Sequence, residues 1–356
     1  MRLCEKLNKQ ARNTMHKPPL FGLTLLQLTN LVLAEGLPKF AAKQIAHWLY
    51  KKDVESIDQM TNLSLDARRM LNEKYRIGLI KPSKVAESAD GTKKYLFATE
   101  SLKFVEAAYI PDADRATLCV SSQVGCKMGC LFCMTGKQGF QGNLTAGEIV
   151  NQLRSIPEWQ GITNIVYMGM GEPFDNLDNV LASLEILTSD WGMAMSPRRI
   201  TVSTIGVKPA MIKFLEQSQC HLAVSLHTPF DDERRSLMPI QNVYPIQDVV
   251  DEIRKYDFSG QRRVSFEYIM FDGLNDSPRH SKELVRLLNN LNCRVNLIRF
   301  HPIPDSPLRG SSDEKILAFR DALTSKGIFT TIRASRGEDI QAACGLLSTK
   351  EQMRKG

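Results

Sequence analysis

The stretch RATLCVSSQVGCKMGCLFC, residues 115–133, joins a β-rich run directly to a loop with three cysteines. Thr117–Ser121 has the β-branched and apolar composition of a strand. Cys126, Cys130 and Cys133 follow with three and then two residues between them. The stretch therefore places three thiols of one tight loop at the carboxyl end of a predicted strand.

Outward from this loop, short β-rich runs alternate with segments of helical periodicity. The later runs are Asn164–Met168, Arg199–Ser203, Leu222–Leu226, Val264–Ile269, Arg294–Ile298 and Phe329–Arg333. Thr145–Glu148 and Ser311–Glu314 both fit capping boxes at helix starts, and Gly327 is suited to end the second of these helices. Repeated β-α units predict a parallel sheet covered by helices, as a full or an incomplete barrel, with the active site at the carboxyl ends of the strands.

The residues before the three-cysteine loop predict two smaller parts. Residues 1–82 form a helical domain, because apolar residues recur at helical spacing from Thr24 to Tyr75 with a break at Gly36–Pro38. Residues 83–115 form a hairpin linker with strands at Lys94–Thr99 and Phe104–Ile110. The main body then covers residues 116–347, and 348–356 are a basic tail.

The positive charge of the chain is concentrated in its first quarter. The 356 residues include 46 Lys+Arg and 39 Asp+Glu, a net charge of +7. Residues 1–82 contain 14 of the basic and 7 of the acidic residues, so the rest of the chain is neutral. A basic appendage on a neutral body favours a polyanionic partner, nucleic acid above all, although an ordinary solvated surface would show the same excess.

The composition excludes several other classes of protein. With 43% hydrophobic and 24% charged residues, neither a disordered chain nor a coiled coil is indicated. No apolar run approaches the ~20 residues that span a membrane, and the first residues lack the apolar core of a secretory signal. We therefore expect a cytoplasmic protein whose cysteines stay reduced.

The spacing of the three cysteines indicates a metal site. Three thiolates can bind three irons of a 4Fe–4S cluster, and because such clusters commonly use four cysteines, one iron would remain open. Structural zinc is the competing interpretation, but it requires four ligands. Since Cys119 lies within the preceding predicted strand and no histidine is close in sequence, the cluster with an open iron is favoured.

The loop resembles the C-x₃-C-x₂-C signature of the radical SAM enzymes, in which the open iron binds the methionine end of S-adenosylmethionine (SAM). Further motifs are similar to the RlmN group of radical SAM RNA methyltransferases: Glu106–Cys126, Gly139–Leu144, Met168–Pro173, Ser203–Gly206, Ser225–His227 and Asp339–Gly345. The resemblance runs from about Pro18 to Leu347. It implies an incomplete (β/α) radical SAM barrel with a small N-terminal helical RNA-binding domain.

The resemblance also implies a reaction: methylation of carbon 2 of adenine in 23S rRNA and in tRNA, with two SAM molecules for each methyl group. Cys344 would carry the methyl group, Cys119 would resolve the protein–RNA adduct through a transient disulfide, and Glu106 would accept a proton. Cys126, Cys130 and Cys133 would bind the cluster. The positions that match SAM contacts are Gly171, Glu172, Ser203, Ser225, Leu226, His227 and Asn296.

The same resemblance implies an external electron donor of the flavodoxin type, a monomer, and no membrane partner. Two residues depart from the group, because Arg299 and His301 stand where it usually has proline and asparagine. Arg299 is shared with the related Cfr enzymes, which methylate carbon 8, whereas Gly171–Pro173 and Arg336–Gly337 match the carbon 2 group. Carbon 8 methylation remains an alternative, as does a zinc-stapled, non-catalytic RNA-binding protein.

Overall fold

A computed structural model describes residues 17–349, which form two compact units. The smaller unit comprises residues 17–81, 145–156 and 181–195, and the larger one comprises 82–144, 157–180 and 196–349. Cys4 and most of the predicted basic tail lie outside the described residues.

The helices and strands follow one another in the predicted alternation. The helices are α1 (Leu25–Ala34), α2 (Ala41–Lys51), α3 (Leu65–Lys74), α4 (Met134–Gln138), α5 (Ala146–Arg154), α6 (Leu177–Thr188), α7 (Lys208–Gln217), α8 (Asp231–Leu237), α9 (Ile246–Ile253), α10 (Pro278–Leu288) and α11 (Asp313–Thr324). The strands are β1 (Lys84–Glu87), β2 (Lys93–Ala98), β3 (Phe104–Asp112), β4 (Arg115–Cys119), β5 (Gln123–Val124), β6 (Gly142–Asn143), β7 (Asn164–Tyr167), β8 (Ile200–Thr204), β9 (His221–Ser225), β10 (Val264–Met270), β11 (Arg294–Arg299) and β12 (Phe329–Ile332). Within residues 17–349, none of the helices combines the length and apolarity needed to cross a membrane.

The smaller unit is helical, with α1 and α2 packed through buried aliphatic side chains. A capping box starts α1, since the Thr24 hydroxyl accepts from the Gln27 N–H and the Gln27 side chain accepts from the Thr24 N–H. The unit also contains α5, because the chain at Gly22 lies so close to Gly147 that a Cβ there would be 2.2 Å from its Cα. Helix α5 and the second half of α6 thus belong to this unit, although they follow strands of the main body in sequence.

The larger unit is built on a ten-stranded sheet with the order β1-β2-β3-β4-β7-β8-β9-β10-β11-β12. Strands β1 to β4 pair antiparallel, and from β4 onward every neighbouring pair is parallel. Within the described residues β1 and β12 are the two edge strands, so the sheet is open and does not close into a barrel. The predicted hairpin of residues 83–115 extends this sheet at its antiparallel end.

The register of the parallel strands creates a polar row. Ser225, Glu267, Asn296 and Thr331 are in register on β9, β10, β11 and β12, and residues in register point to the same face of a sheet. The Asn296 amide donates to Glu267 Oε1 at 2.7 Å, and the Thr331 hydroxyl donates to Asn296 Oδ1 at 2.7 Å. This row lies on the face of the sheet that lines the site described below.

One local prediction is wrong, and three short strands, β1, β5 and β6, were not predicted. The capping box at Ser311–Glu314 does not form, because the cap of α11 is Ser312, whose hydroxyl accepts from the Lys315 N–H. The Ser311 hydroxyl instead donates to Asp276 at 3.0 Å. Strand β1 (sequence KVAE) was not predicted because it is mostly exposed, so its sequence lacks the alternation of apolar and polar residues that indicates a strand. The capping box predicted at Thr145 is confirmed.

Candidate active site

The three-cysteine loop begins just after the short strand β5 and forms part of the wall of a cavity of about 150 Å³. Cys126, Cys130 and Cys133 are free thiols, and all three line this cavity. Cys130 also packs in an apolar cluster with Phe132 and Phe271. The three thiols share one wall, but across residues 17–349 no three His, Cys, Asp or Glu side chains converge as closely as metal ligands do.

Burial makes two thiols of this loop hard to ionise unless a cation binds them. Burial raises the pKa of Cys126 to about 12 and raises the pKa of Cys130 well above its ordinary value. Without a positive charge these thiols are neutral, whereas a coordinated metal removes the thiol proton outright. Three free thiols on one loop are a donor set that fits an iron–sulfur cluster.

A glycine-rich turn after β7 forms the adjoining wall of the cavity. A Cβ on Gly169 would lie 2.7 Å from the Val120 carbonyl oxygen, so only glycine allows this approach. Gly171 has a φ of +99°, and a Cβ there would lie 2.5 Å from the Gln123 side chain. The two glycines let the turn lie against the segment after β4, where the Glu172 N–H donates to Gln123 Oε1 at 2.9 Å.

Glu172 is a buried carboxylate fixed by backbone N–H groups. Its Oε1 accepts from Phe174 N at 3.0 Å, and its Oε2 accepts from Ile205 N at 2.9 Å. Burial raises the pKa of Glu172 to about 7, although these donors and the Thr204 hydroxyl act in the opposite direction. A carboxylate held in this way, beside Ser203 and Ser225 on the same cavity, can bind an ammonium group.

His227 contributes a neutral imidazole to the cavity. Its Nδ1 accepts from Ile269 N at 3.1 Å, which assigns the ring proton to Nε2. Burial, and secondarily the charge of Arg234, lowers the pKa of His227 to about 3. A φ of +61° is a strained conformation for a histidine and is typical of functional positions. Leu226, by contrast, is fully buried and lines neither this cavity nor the next.

A second cavity, of about 550 Å³, contains the other two predicted cysteines. Cys119 lies buried on β4, and Cys344 lies exposed in the segment after β12. Ala342 packs against Cys119, so the segment after β12 contacts β4. Burial and the neighbouring Cys344 raise the pKa of Cys119 to about 12, while Arg333 opposes this rise. The fold therefore brings the two cysteines to one cavity.

The two cavities share part of their walls. Cys133, Glu267, Arg333 and Cys344 line both of them. Asn296 lines only the larger cavity, through the polar row. Cys344 therefore stands at the border between the three-cysteine loop and the space that contains Cys119.

Glu106 lies outside the cavity that contains the other two predicted catalytic residues, Cys119 and Cys344. Its side chain is buried on β3, and it is not among the described residues that line either cavity. Lys94 Nζ lies 3.2 Å from its Oε1, and the Ser348 N–H donates to its Oε2 at 3.0 Å. In this arrangement the carboxylate contacts the segment that carries Cys344.

Two charged residues of the shared wall, Glu267 and Arg333, were not among the predicted site residues, although the basic stretch Arg333–Gly337 before Cys344 indicates a setting that lowers a thiol pKa. Arg333 Nη1 lies 3.1 Å from the Met168 sulfur and 3.5 Å from Glu267 Oε2. The available signals were a glutamate within an otherwise apolar strand and an arginine at a strand end. Both are charged groups that the sheet directs inward, where they need a partner.

Gly171→Ala tests the glycine-rich turn. The substitution combines an unfavourable φ with a 2.5 Å contact to Gln123, so we expect it to destabilise the protein by about 2–3 kcal/mol. Denaturant unfolding measures this change. Gly260→Ala is the matched control, because a Cβ at Gly260 meets nothing within 4 Å, and unchanged stability is expected. Equal stability of the two variants would contradict the steric argument.

Comparisons with known proteins agree with this geometry. A family model of the radical SAM superfamily matches residues 120–285, and one of the ribosomal RNA large subunit methyltransferase N-terminal domain matches residues 19–77. A protein of Phocaeicola vulgatus described as a probable dual-specificity RNA methyltransferase RlmN is 59% identical over 341 residues, which cover 96% of this chain and 98% of that protein. The chain belongs to the RlmN family.

RlmN relatives and structures extend the match. The dual-specificity RNA methyltransferase RlmN of Syntrophus aciditrophicus is 43% identical over 341 residues, covering 94% of this chain and 98% of that protein. The crystal structure of a radical SAM methyltransferase from Sphaerobacter thermophilus has a TM-score of 0.86 and 42% identity, covering 93% of this chain and 99% of that one. The chain is thus a SAM-dependent radical SAM RNA methyltransferase, and the non-catalytic zinc alternative is excluded. RlmN membership implies SAM and a 4Fe–4S cluster as cofactors.

Proposed function

We propose that this enzyme methylates carbon 2 of a specific adenine in 23S rRNA and in tRNA, with Cys344 as the methyl carrier. The observation that carries the proposal is the position of Cys344, which lines both the cavity of the three-cysteine loop and the cavity that contains Cys119. A methyl group received on the sulfur at one side can be delivered to an adenine on the other. The names of the RlmN relatives support RNA as the substrate.

We propose that Cys126, Cys130 and Cys133 bind three irons of the cluster and leave the fourth iron for SAM. The cluster, when bound, supplies the electron for the reductive cleavage of SAM. Glu172, held by two backbone N–H groups, binds the ammonium group of SAM. Ser203, Ser225 and the neutral His227 offer hydrogen-bond donors on the same wall. SAM contacts by Leu226 and Asn296 are proposed on the resemblance alone, since Leu226 lines neither cavity and Asn296 lines only the larger one.

The two cysteines then release the methylated base as a pair, and an external dithiol must reduce the disulfide that they form before the next turnover. Once a methylene carbon joins Cys344 Sγ to the adenine, Cys119 attacks that sulfur, so that an S–S bond forms and the S–C bond breaks. The electron pair passes to the methylene carbon, which takes up a proton and becomes the methyl group. Arg333 opposes the rise of the pKa of Cys119 and so favours the attacking thiolate.

Glu106 is proposed as the acceptor of the proton that leaves carbon 2. Its carboxylate is bound to Lys94 and to the Ser348 N–H, in the segment that carries Cys344.

The substrate must leave its base stack to reach these residues. Nucleic-acid enzymes of this kind turn the target nucleotide into the active site. Charged residues that line the 550 Å³ cavity are mainly arginines: Arg115, Arg299, Arg333 and Arg336, against Asp112 and Glu267. The helical domain of residues 1–82, with its excess of basic residues, is proposed to bind the RNA backbone. A cytoplasmic location, a monomer and an external electron donor of the flavodoxin type complete the proposal.

Nucleoside analysis of rRNA and tRNA tests the ring position. Cells that express the protein should contain 2-methyladenosine in both RNAs, and cells without it should lack the nucleoside. One observation favours the carbon 8 alternative: Arg299, the residue shared with the Cfr enzymes, lines the larger cavity. Its Nε donates to Asp313 Oδ1 at 2.9 Å. Appearance of 8-methyladenosine in place of 2-methyladenosine would decide for that alternative.

A further inference from the structure

Cys344 lies on a segment that is anchored at both ends. We name residues 337–349 the carrier segment. At its first end, the Gly337 N–H donates to Asp90 Oδ2 at 3.0 Å, and Asp339 Oδ1 accepts from the Ser88 hydroxyl at 2.6 Å. These contacts connect the start of the carrier segment to the turn between β1 and β2.

The second end is bound to α4, the short helix that starts directly after the three-cysteine loop. The Met134 N–H donates to the Gly345 carbonyl at 2.8 Å, and the Thr135 hydroxyl donates to the Leu347 carbonyl at 2.7 Å. These bonds meet the carrier segment just after Cys344. Thr135 is 3% exposed, so the Leu347 carbonyl, rather than water, accepts the hydrogen bond of its hydroxyl.

Gln138 at the end of α4 makes the densest set of contacts. Its Oε1 accepts from the Ser348 hydroxyl at 3.1 Å and from the Thr349 N–H at 2.9 Å. Its Nε2 donates to the Thr349 hydroxyl at 2.8 Å, and Thr349 is fully buried. Both ends of the Gln138 amide are thus engaged with the carrier segment.

We propose that Thr135 and Gln138 are positioning residues that hold Cys344 at the border of the two cavities. Because Cys133 is the residue that caps α4, the same five-residue helix joins the last cysteine of the loop to the carrier segment. The distance between the loop and the methyl carrier is therefore set by α4. This inference rests on the proposed role of Cys344 as methyl carrier.

Hydrogen exchange on the full-length protein without cofactors tests the anchoring directly. Gln138→Leu removes all three contacts, so we expect amide exchange in residues 338–349 to accelerate about tenfold. Gln138→Glu keeps the two bonds that Oε1 accepts but cannot donate to the Thr349 hydroxyl, so it should restore slow exchange only in part. Thr135→Val, which removes one hydroxyl at constant shape, should give a smaller acceleration. Gln247→Leu is the matched control, since Gln247 is exposed on α9 and bonded only locally to Asp251.

Turnover of the loaded enzyme supplies the second readout. Gln138→Leu should lower kcat for RNA methylation about tenfold with KM for RNA unchanged, and should raise the amount of SAM cleaved per methyl group transferred. The inference would be overturned if the wild type methylates RNA and Gln138→Leu nevertheless shows the same amide exchange, and the same amount of SAM cleaved per methyl group, as Gln247→Leu. Absence of S-methylated Cys344 in the wild type would instead refute the proposed function, and the exchange experiment on the cofactor-free chain would remain decisive for the anchoring.

Discussion

Cys344→Ala lowers methyl transfer to RNA by at least about a thousandfold, because alanine has no sulfur to accept and carry the methyl group. The thiol is exposed in the carrier segment, so its loss leaves no cavity in the core. The free energy of unfolding should therefore change by no more than about 0.5 kcal/mol. Incubation with RNA and SAM labelled in its methyl group measures the transfer, and mass spectrometry of the protein should show no S-methylcysteine.

Cys293→Ala is the control for this result. Cys293 is a free, half-buried thiol that lines neither cavity, so it has no contact with the space in which the methyl group is transferred. This variant should methylate RNA at the wild-type rate. Full methylation by Cys344→Ala would show that another group carries the methyl, and the proposed mechanism would then be wrong.

Cys119→Ala should have the second large effect, the accumulation of a covalent protein–RNA adduct. Without the Cys119 sulfur no S–S bond can form, so the S–C bond between Cys344 and the RNA methylene carbon persists. Multiple turnover should fall to a single event per protein molecule. Denaturing gel electrophoresis should show a band heavier than the 40.1 kDa chain, and nuclease digestion should reduce it to the protein plus one nucleotide.

Cys220→Ala provides a comparison for Cys119→Ala, since Cys220 is also buried but lines neither cavity. It should release methylated RNA and form no adduct. The double variant Cys119→Ala/Cys344→Ala should form none either, because the carrier is missing. Unimpaired multiple turnover by Cys119→Ala would mean that the adduct is resolved without this residue.

Much of the fold could be predicted because local patterns and tertiary structure agree. The six strands β7 to β12 lie within about two residues of their predicted positions, since each is a largely apolar run bounded by turn residues. The cap of α11 was misplaced by one residue, because Ser311 and Ser312 are equally good caps in sequence and only the Asp276 contact selects between them.

The surroundings of Glu106 could not be predicted from the sequence. The resemblance marks it as a proton acceptor, but its surroundings depend on the pairing of β3 with β2 and on the return of the chain at Ser348. Glu267 lines the site because the register of β10, β11 and β12 places it in the polar row, and Arg333 contacts it from just beyond the end of β12. Contacts of this kind join residues that are remote in sequence, so no local pattern encodes them.

By itself the sequence determined the class of chemistry, because three thiols at fixed spacing on one loop, placed after a strand of a β-α series, permit few metal sites. It also determined which residues carry charge and sulfur. Only the tertiary structure decided that Cys119 and Cys344 face one cavity, and that α4 sets the position of Cys344 relative to the loop. The physical reason is that these distances depend on how the chain after β12 packs back onto β4, through contacts such as that of Ala342 with Cys119.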